Sequence, residues 1–189
     1  MRTGAEKYPI RLASREDVPF LSEIERLACS LFDSFEFTAS LPLYLTEEEE
    51  FEAALKEGLL WVAHLSNEAP VGFALVEMMD GAAHLEEVDV LPEHGRRGIG
   101  TRLVQTVCGW AANANLQAVT LTTFRDIPWN APFYGRLGFR ILRDEELTPS
   151  LEARIRDEER HGIPRSLRVA MRFDTRAVPP WKKRGPPPT

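Results

Sequence analysis

The stretch Val88-Asp89-Val90-Leu91-Pro92-Glu93-His94-Gly95-Arg96-Arg97-Gly98-Ile99-Gly100-Thr101 carries an apolar run through a turn rich in glycine and arginine into an amphipathic segment. Such a junction is an anion site. The first N–H groups of a helix lack intrahelical partners, glycines let a pyrophosphate approach the backbone, and the helix dipole favours negative charge. Arg96 and Arg97 add cationic donors. Two common phosphate loops do not fit. The dinucleotide fingerprint needs glycine where Leu103 stands, and P-loop spacing from Gly95 to Gly100 puts Thr101 where a lysine is required.

A second constellation lies downstream: Trp129-Asn130-Ala131-Pro132-Phe133-Tyr134-Gly135-Arg136-Leu137-Gly138-Phe139. In this order and separation the two motifs resemble the GNAT superfamily of acyl-CoA-dependent N-acyltransferases, whose pyrophosphate loop reads [Q/R]-x-x-G-x-[G/A]. Here Gly95 replaces the long first residue, which removes a side-chain contact and leaves the amide cradle. The resemblance is specific over residues 85–139 and topological elsewhere in 8–173.

The resemblance implies an α/β (α+β) fold: a mixed, mostly antiparallel central sheet flanked by helices, with strands four and five splayed to admit a pantetheine arm. It implies acetyl-CoA as co-substrate. Val88, Asp89 and Val90 would meet the pantetheine, with an oxyanion contact from a backbone N–H near Val90. Arg96, Arg97, Gly98, Ile99, Gly100 and Thr101 would hold the pyrophosphate. Asn130 and Phe133 would contact the cofactor, and Tyr134 would be both a cofactor contact and the general acid beside the thioester sulfur. For the base, strand alternation puts His84 and Glu86 on the face of Val88 and Val90, with Glu87 and Asp89 opposite. Either is also compatible with a plain edge position, Tyr134 with a core tyrosine, and deprotonation by water stays open.

These residues need elements to position them. The spacing predicts a strand at Ile10–Ala13, a helix over about 16–30 introduced by Ser14 and Asp17, and a loop or broken helix from Phe32 to Leu45. Phe32, Phe35 and Phe37 could wall a cleft there or pack in the core. Thr46 and Glu49 form a capping-box pattern before a helix from Glu47 to Lys56, stopped by Gly58. Leu59–Leu65 and Val71–Met79 read as a hairpin, and Asp80-Gly81 turns the chain into a strand at Ala83–Leu91. A helix of about four turns begins near Gly98. A strand at Leu116–Thr123, a short helix at Asn130–Leu137, a strand at Phe139–Arg143, a helix at Pro149–His161 and a strand at Leu167–Phe173 follow. That last helix has Thr148 as N-cap, Pro149 in the first turn and Gly162 as stop.

Composition narrows the partners. The 189 residues, 43% apolar, carry 23 Lys+Arg against 29 Asp+Glu, for a net charge of −6. This predicts one globular domain over 1–174 with a basic, proline-rich tail at 175–189, the body alone standing at −10. Nucleic-acid binding is disfavoured by such an acidic body. No apolar run reaches membrane-span length and no signal peptide is visible, so a cytoplasmic location is expected. His64, His94 and His161 lack metal-ligand spacing, so no metal is expected. Cys29 and Cys108 read as buried structural thiols. The activity expected is direct acetyl transfer to an amine of a small molecule or exposed peptide. The alternatives are a catalytically silent CoA-binding module and a protein lysine or N-terminal acetyltransferase. The resemblance also leaves a homodimer open.

Overall fold

The computed structural model describes residues 8–35, 45–65 and 69–177. Phe37, the Ser66-Asn67-Glu68 part of the hairpin connection and the tail from residue 178 lie outside them. In chain order the elements are β1 (Ile10–Leu12), α1 (Val18–Cys29), α2 (Glu48–Glu57), β2 (Leu60–His64), β3 (Pro70–Met79), β4 (Ala82–Val90), α3 (Ile99–Asn113), β5 (Ala118–Phe124), α4 (Ala131–Arg136), β6 (Arg140–Ile141), α5 (Pro149–Arg160) and β7 (Arg168–Asp174). Short 3-10 turns at Ser30–Ser34, Pro92–His94, Asp144–Glu146 and Arg165–Leu167 have no apolar period to announce them. The strands form a seven-stranded sheet in the order β1-β2-β3-β4-β5-β7-β6. The chain divides into two compact units, one formed by the described residues up to Glu77 with Leu85–Val107, the other by Met78–His84 with those from Cys108 on.

In the first unit β1, β2 and β3 pair antiparallel, with Ile10 opposite Ala63 and Trp61 opposite Ala74. All of β2 is buried, which its unbroken run Leu-Trp-Val-Ala-His foreshadows. α1 turns its Leu21, Ile24 and Ala28 inward, and Phe51 of α2 meets Phe73 of β3 edge-on at 5.4 Å. Asp17 accepts from the N–H and hydroxyl of Ser14 at 2.7 and 2.9 Å, so the predicted pair forms, although the helix proper starts at Val18. The second expected capping box does not form. Glu47 is the N-cap of α2, and Thr46 donates instead to Glu25. Gly58 closes α2 at φ 70°, the left-handed conformation a helix stop requires.

In the second unit β4 and β5 run parallel, with Ala83 opposite Val119 and His84 opposite Thr120. β5 and β7 pair antiparallel from Ala118↔Asp174 to Phe124↔Arg168, and β6 adds only Arg140 and Ile141 to the edge, shorter than the predicted strand. Leu151 and Ile155 of α5 pack with Leu142 and Ala170. The hydroxyl of Thr148 accepts from Leu151 N at 3.3 Å, as the sequence pattern predicts. Among the described residues no helix is long and apolar enough to cross a membrane.

Candidate functional site

In the first unit β4 delivers the chain to the glycine loop. Leu91 N donates to Val71 O at 2.9 Å, ending the ladder, and the Pro92–His94 turn closes with Gly95 N donating to Pro92 O at 3.0 Å. A Cβ at residue 95 would lie 2.9 Å from that same carbonyl oxygen, a physical reason for the glycine where the superfamily pattern has a long side chain. Arg96 and Gly98 have φ of 54° and 77°, while Arg97 between them does not share the positive sign. Alternating backbone of this kind turns successive N–H groups toward one side, a concavity suited to anions. Arg102 N donates to Gly98 O at 3.1 Å, so Ile99, Gly100 and Thr101 occupy the first turn, where N–H groups have no helical acceptor.

The two arginines are both exposed and differ in what they bond. Arg97 donates to the Tyr8 hydroxyl at 2.7 Å and to Glu93 O at 3.1 Å. The Tyr8 oxygen that accepts from Arg97 also lies within hydrogen-bond distance of His94 Nδ1, at 3.2 Å. Arg97, itself exposed, is thereby tied to a tyrosine only 2% exposed. Motif reading gave Arg97 to the pyrophosphate and missed Tyr8, whose partner stands 89 positions away.

The same unit gathers carboxylates around β4. Asp89 Oδ2 is shut off from solvent and has no hydrogen-bond partner. Burial, and then the charge of Glu25, push the Asp89 carboxyl up to about 8. Glu25 on α1 accepts from Thr46 N and Oγ1 at 3.1 and 3.0 Å, yet burial still raises it, and Glu50 adds to the effect. Cys29 is pushed up to about 12 by burial, then by Asp89, Glu87, Glu25 and Asp33. A Cβ on Gly72 of β3 would meet Asp89 O at 2.6 Å, so that glycine permits the close approach of β4. Glu86, Val88 and Val90 are partly buried alongside. Sequence reading overlooked Glu25, although a signal existed: it is the one charged residue in the apolar stripe Leu21, Ile24, Glu25, Ala28.

The second unit holds the other expected residues. His84 is buried, and its Nδ1 lies 3.0 Å from Thr120 Oγ1. Burial, then Arg154 and Arg168, push its ring down to about 3, so the imidazole is neutral across the physiological range. Asn130 precedes α4 and donates from Nδ2 to Thr123 Oγ1 at 2.8 Å, while its buried Oδ1 has no hydrogen-bond partner. Tyr134, partly buried, is set by ring contacts with Phe133 at 5.1 Å and Phe139 at 5.6 Å. Cys108 is buried and raised to about 12, so neither thiol ionises near neutrality.

A sheet of this order, with a left-handed glycine opening a helix after the fourth strand, defines a class of acyl-transfer domains. The sequence pattern of the acetyltransferase (GNAT) family matches residues 23–139, more than half of the chain, and the chain belongs to that family. It is an acyl-CoA-dependent N-acetyltransferase. Solved structures share the fold. N-acetylglutamate synthase of Neisseria gonorrhoeae, complexed with coenzyme A and N-acetyl-glutamate, matches with TM-score 0.64 and 18% identity over 90% of this chain, which spans only 35% of that one. PaiA N-acetyltransferase of Thermoplasma acidophilum, in complex with coenzyme A, matches at 0.58 and 16% identity over 88% of this chain and 98% of that one. The ribosomal-protein-S18-alanine N-acetyltransferase of Escherichia coli matches at 0.61 and 16% identity over 90% and 96%. At such identities the likeness is one of fold.

Proposed function

We propose that the chain transfers the acetyl group of acetyl-CoA directly to a cationic amine of a small molecule. The residues present fit the co-substrate. The N–H groups of Ile99, Gly100 and Thr101 suit a pyrophosphate, Gly98 leaves open space where a Cβ would stand, and Arg96 presents an exposed guanidinium. The unpartnered Oδ1 of Asn130 suits an amide N–H of the pantetheine arm. Acetyl-CoA supplies an activated acyl group as a thioester.

The observation that carries the cationic acceptor is Asp89 Oδ2, a buried carboxylate oxygen without a hydrogen-bond partner, on a strand facing the charge of Glu25. Burying two carboxylates together is costly unless a cation joins them. An acceptor ammonium supplies it. In this reading Glu86 takes the proton that the amine loses as its nitrogen bonds the acetyl carbon, and Tyr134 protonates the thiolate as the carbon–sulfur bond breaks. His84 does not serve as base, because its ring accepts a proton only near pH 3. Two protonated cysteines favour direct transfer over an acetyl-enzyme.

An acceptor screen tests this, with acetyl-CoA-dependent thiol release as the readout. Diamines and polyamines are expected to be acetylated, and amino dicarboxylates are not. Equal rates for both classes would remove the argument from Asp89. Glu86→Gln and Tyr134→Phe are each expected to lower kcat by about 10²-fold or more with little change in KM, the scale of a lost general base or acid.

A further inference from the structure

The second unit contains a cavity that acetyl transfer leaves unused. Its volume is about 320 Å³, at the small end for ligand sites, and its lining includes Thr120 of β5, Arg172 of β7, Arg140 of β6, Asp80, Glu146 and Thr148. Ladder register puts Arg172 directly opposite Thr120 on one side and opposite Arg140 on the other. Like charges placed opposite each other across antiparallel strands destabilise the pair.

Of the two acids of the lining, one pairs with Arg140 and neither pairs with Arg172. Asp80 Oδ1 accepts from Ser150 Oγ at 2.7 Å, and hydrogen bonds from Ser150 and Thr148 hold its carboxyl below the usual range. Its charge is committed to the start of α5. Glu146 accepts from Arg143 N at 3.0 Å and Arg143 Nε at 3.1 Å, and pairs with Arg140 at 2.9 Å. The side chain of Arg172, a partly buried residue, makes no hydrogen bond or ion pair with any described residue. One guanidinium therefore lines the cavity uncompensated, beside a second whose charge is shared with a single carboxylate.

We propose that this cavity binds a compact oxyanion, a phosphate or a carboxylate, through the guanidinium of Arg172 with Arg140 beside it. Planar guanidinium groups match both oxyanions in geometry, and bidentate pairing gives the strongest of the charge-assisted hydrogen bonds. A volume of about 320 Å³ limits the ligand to the size of a small metabolite or a free ion. The site stands apart from the proposed reaction, since none of its lining residues has a role there.

The test is calorimetric titration of the full chain, saturated with CoA, with inorganic phosphate and separately with acetate, chloride holding the ionic strength. Arg172→Gln and Arg15→Gln are titrated beside the wild type, Arg15 being an 84%-exposed arginine on the surface of the other unit. The expected result is a saturable, Arg172-dependent binding event that weakens at least tenfold in Arg172→Gln and survives in Arg15→Gln. Phosphate alone producing it identifies a phosphoryl ligand, and acetate alone a carboxylate. Thermal unfolding in chloride gives the second readout. Arg172→Gln is expected to melt no lower than wild type, because it loses a like-charged neighbour and no partner. Binding unchanged in Arg172→Gln, no binding beyond chloride, or a melting temperature several degrees lower for Arg172→Gln overturns the proposal. Should CoA fail to bind, the same comparison run without it still decides the cavity, so the two readings fail separately.

Discussion

His84 and Asp89 stand on one strand, β4, and burial makes both neutral by opposite routes. At His84 it removes a proton, and the neighbouring charges, Arg154 and Arg168, act in the same direction. At Asp89 it adds one, and Glu25 reinforces it. The difference lies in what each group has to bond. His84 has the Thr120 hydroxyl at 3.0 Å, whereas Asp89 keeps a buried oxygen with no donor. A buried group satisfied within the protein contributes to the fold, and one left unsatisfied marks a place where a ligand completes the structure.

The largest effect that would sharpen this contrast is expected from Asp89→Asn. Loss of the carboxylate should raise KM for a cationic amine by about 10- to 100-fold, the scale of removing one partner from a buried charge pair. It should also flatten the pH dependence of stability. A carboxyl at about 8 in the folded protein, against an ordinary value of 3.8, holds more protons folded than unfolded, so wild-type stability falls as pH rises from about 4 to about 8. Thermal melts across that range should show the decline in wild type and lose most of it in Asp89→Asn. A retained decline would move the effect to another group.

Gly72→Ala comes next. Its Cβ at 2.6 Å from Asp89 O must displace β4, so both stability and amine KM should suffer, stability by about 1–3 kcal/mol. The control is Gly109→Ala on α3, where a Cβ meets nothing within 4 Å and helix propensity predicts a gain of about 0.5–1 kcal/mol. If the two substitutions behave alike in chemical denaturation, the close approach of the strands is not what places Asp89.

His84→Gln should be milder in function. Loss of the buried imidazole should cost about 1–3 kcal/mol through the Thr120 hydroxyl it leaves behind, with kcat/KM within about threefold of wild type and an unchanged pH profile. A lost limb in the pH–rate profile would return His84 to the chemistry. The smallest effect concerns Arg96, a non-glycine residue at φ 54°. Arg96→Gly should relieve about 1 kcal/mol of left-handed strain and weaken CoA binding severalfold, two changes of opposite sign that melting and titration separate.

Much of the architecture was legible because short-range physics writes it. The Gly98-Ile99-Gly100 spacing, the Thr148-Pro149 helix start and the Asp80-Gly81 turn each specify local backbone, and each turn or cap forms where its residues lie. The order of strands and helices follows from apolar periods in the same way. Less legible was anything decided by a partner remote in the chain. Thr46 reads as an N-cap for the helix beside it and is instead taken by Glu25, 21 residues earlier. The bond from Arg97 to Tyr8 joins residues 89 positions apart, and no local pattern announces it.

By itself the sequence determined the family, the position of the glycine-arginine loop and the identities of the polar side chains around it, since motif spacing and backbone conformation are properties of adjacent residues. Only the tertiary structure decided which of those side chains carry charge. Burial and the sign of neighbours brought in from other elements set the protonation of His84 and Asp89, and neither quantity is written along one strand.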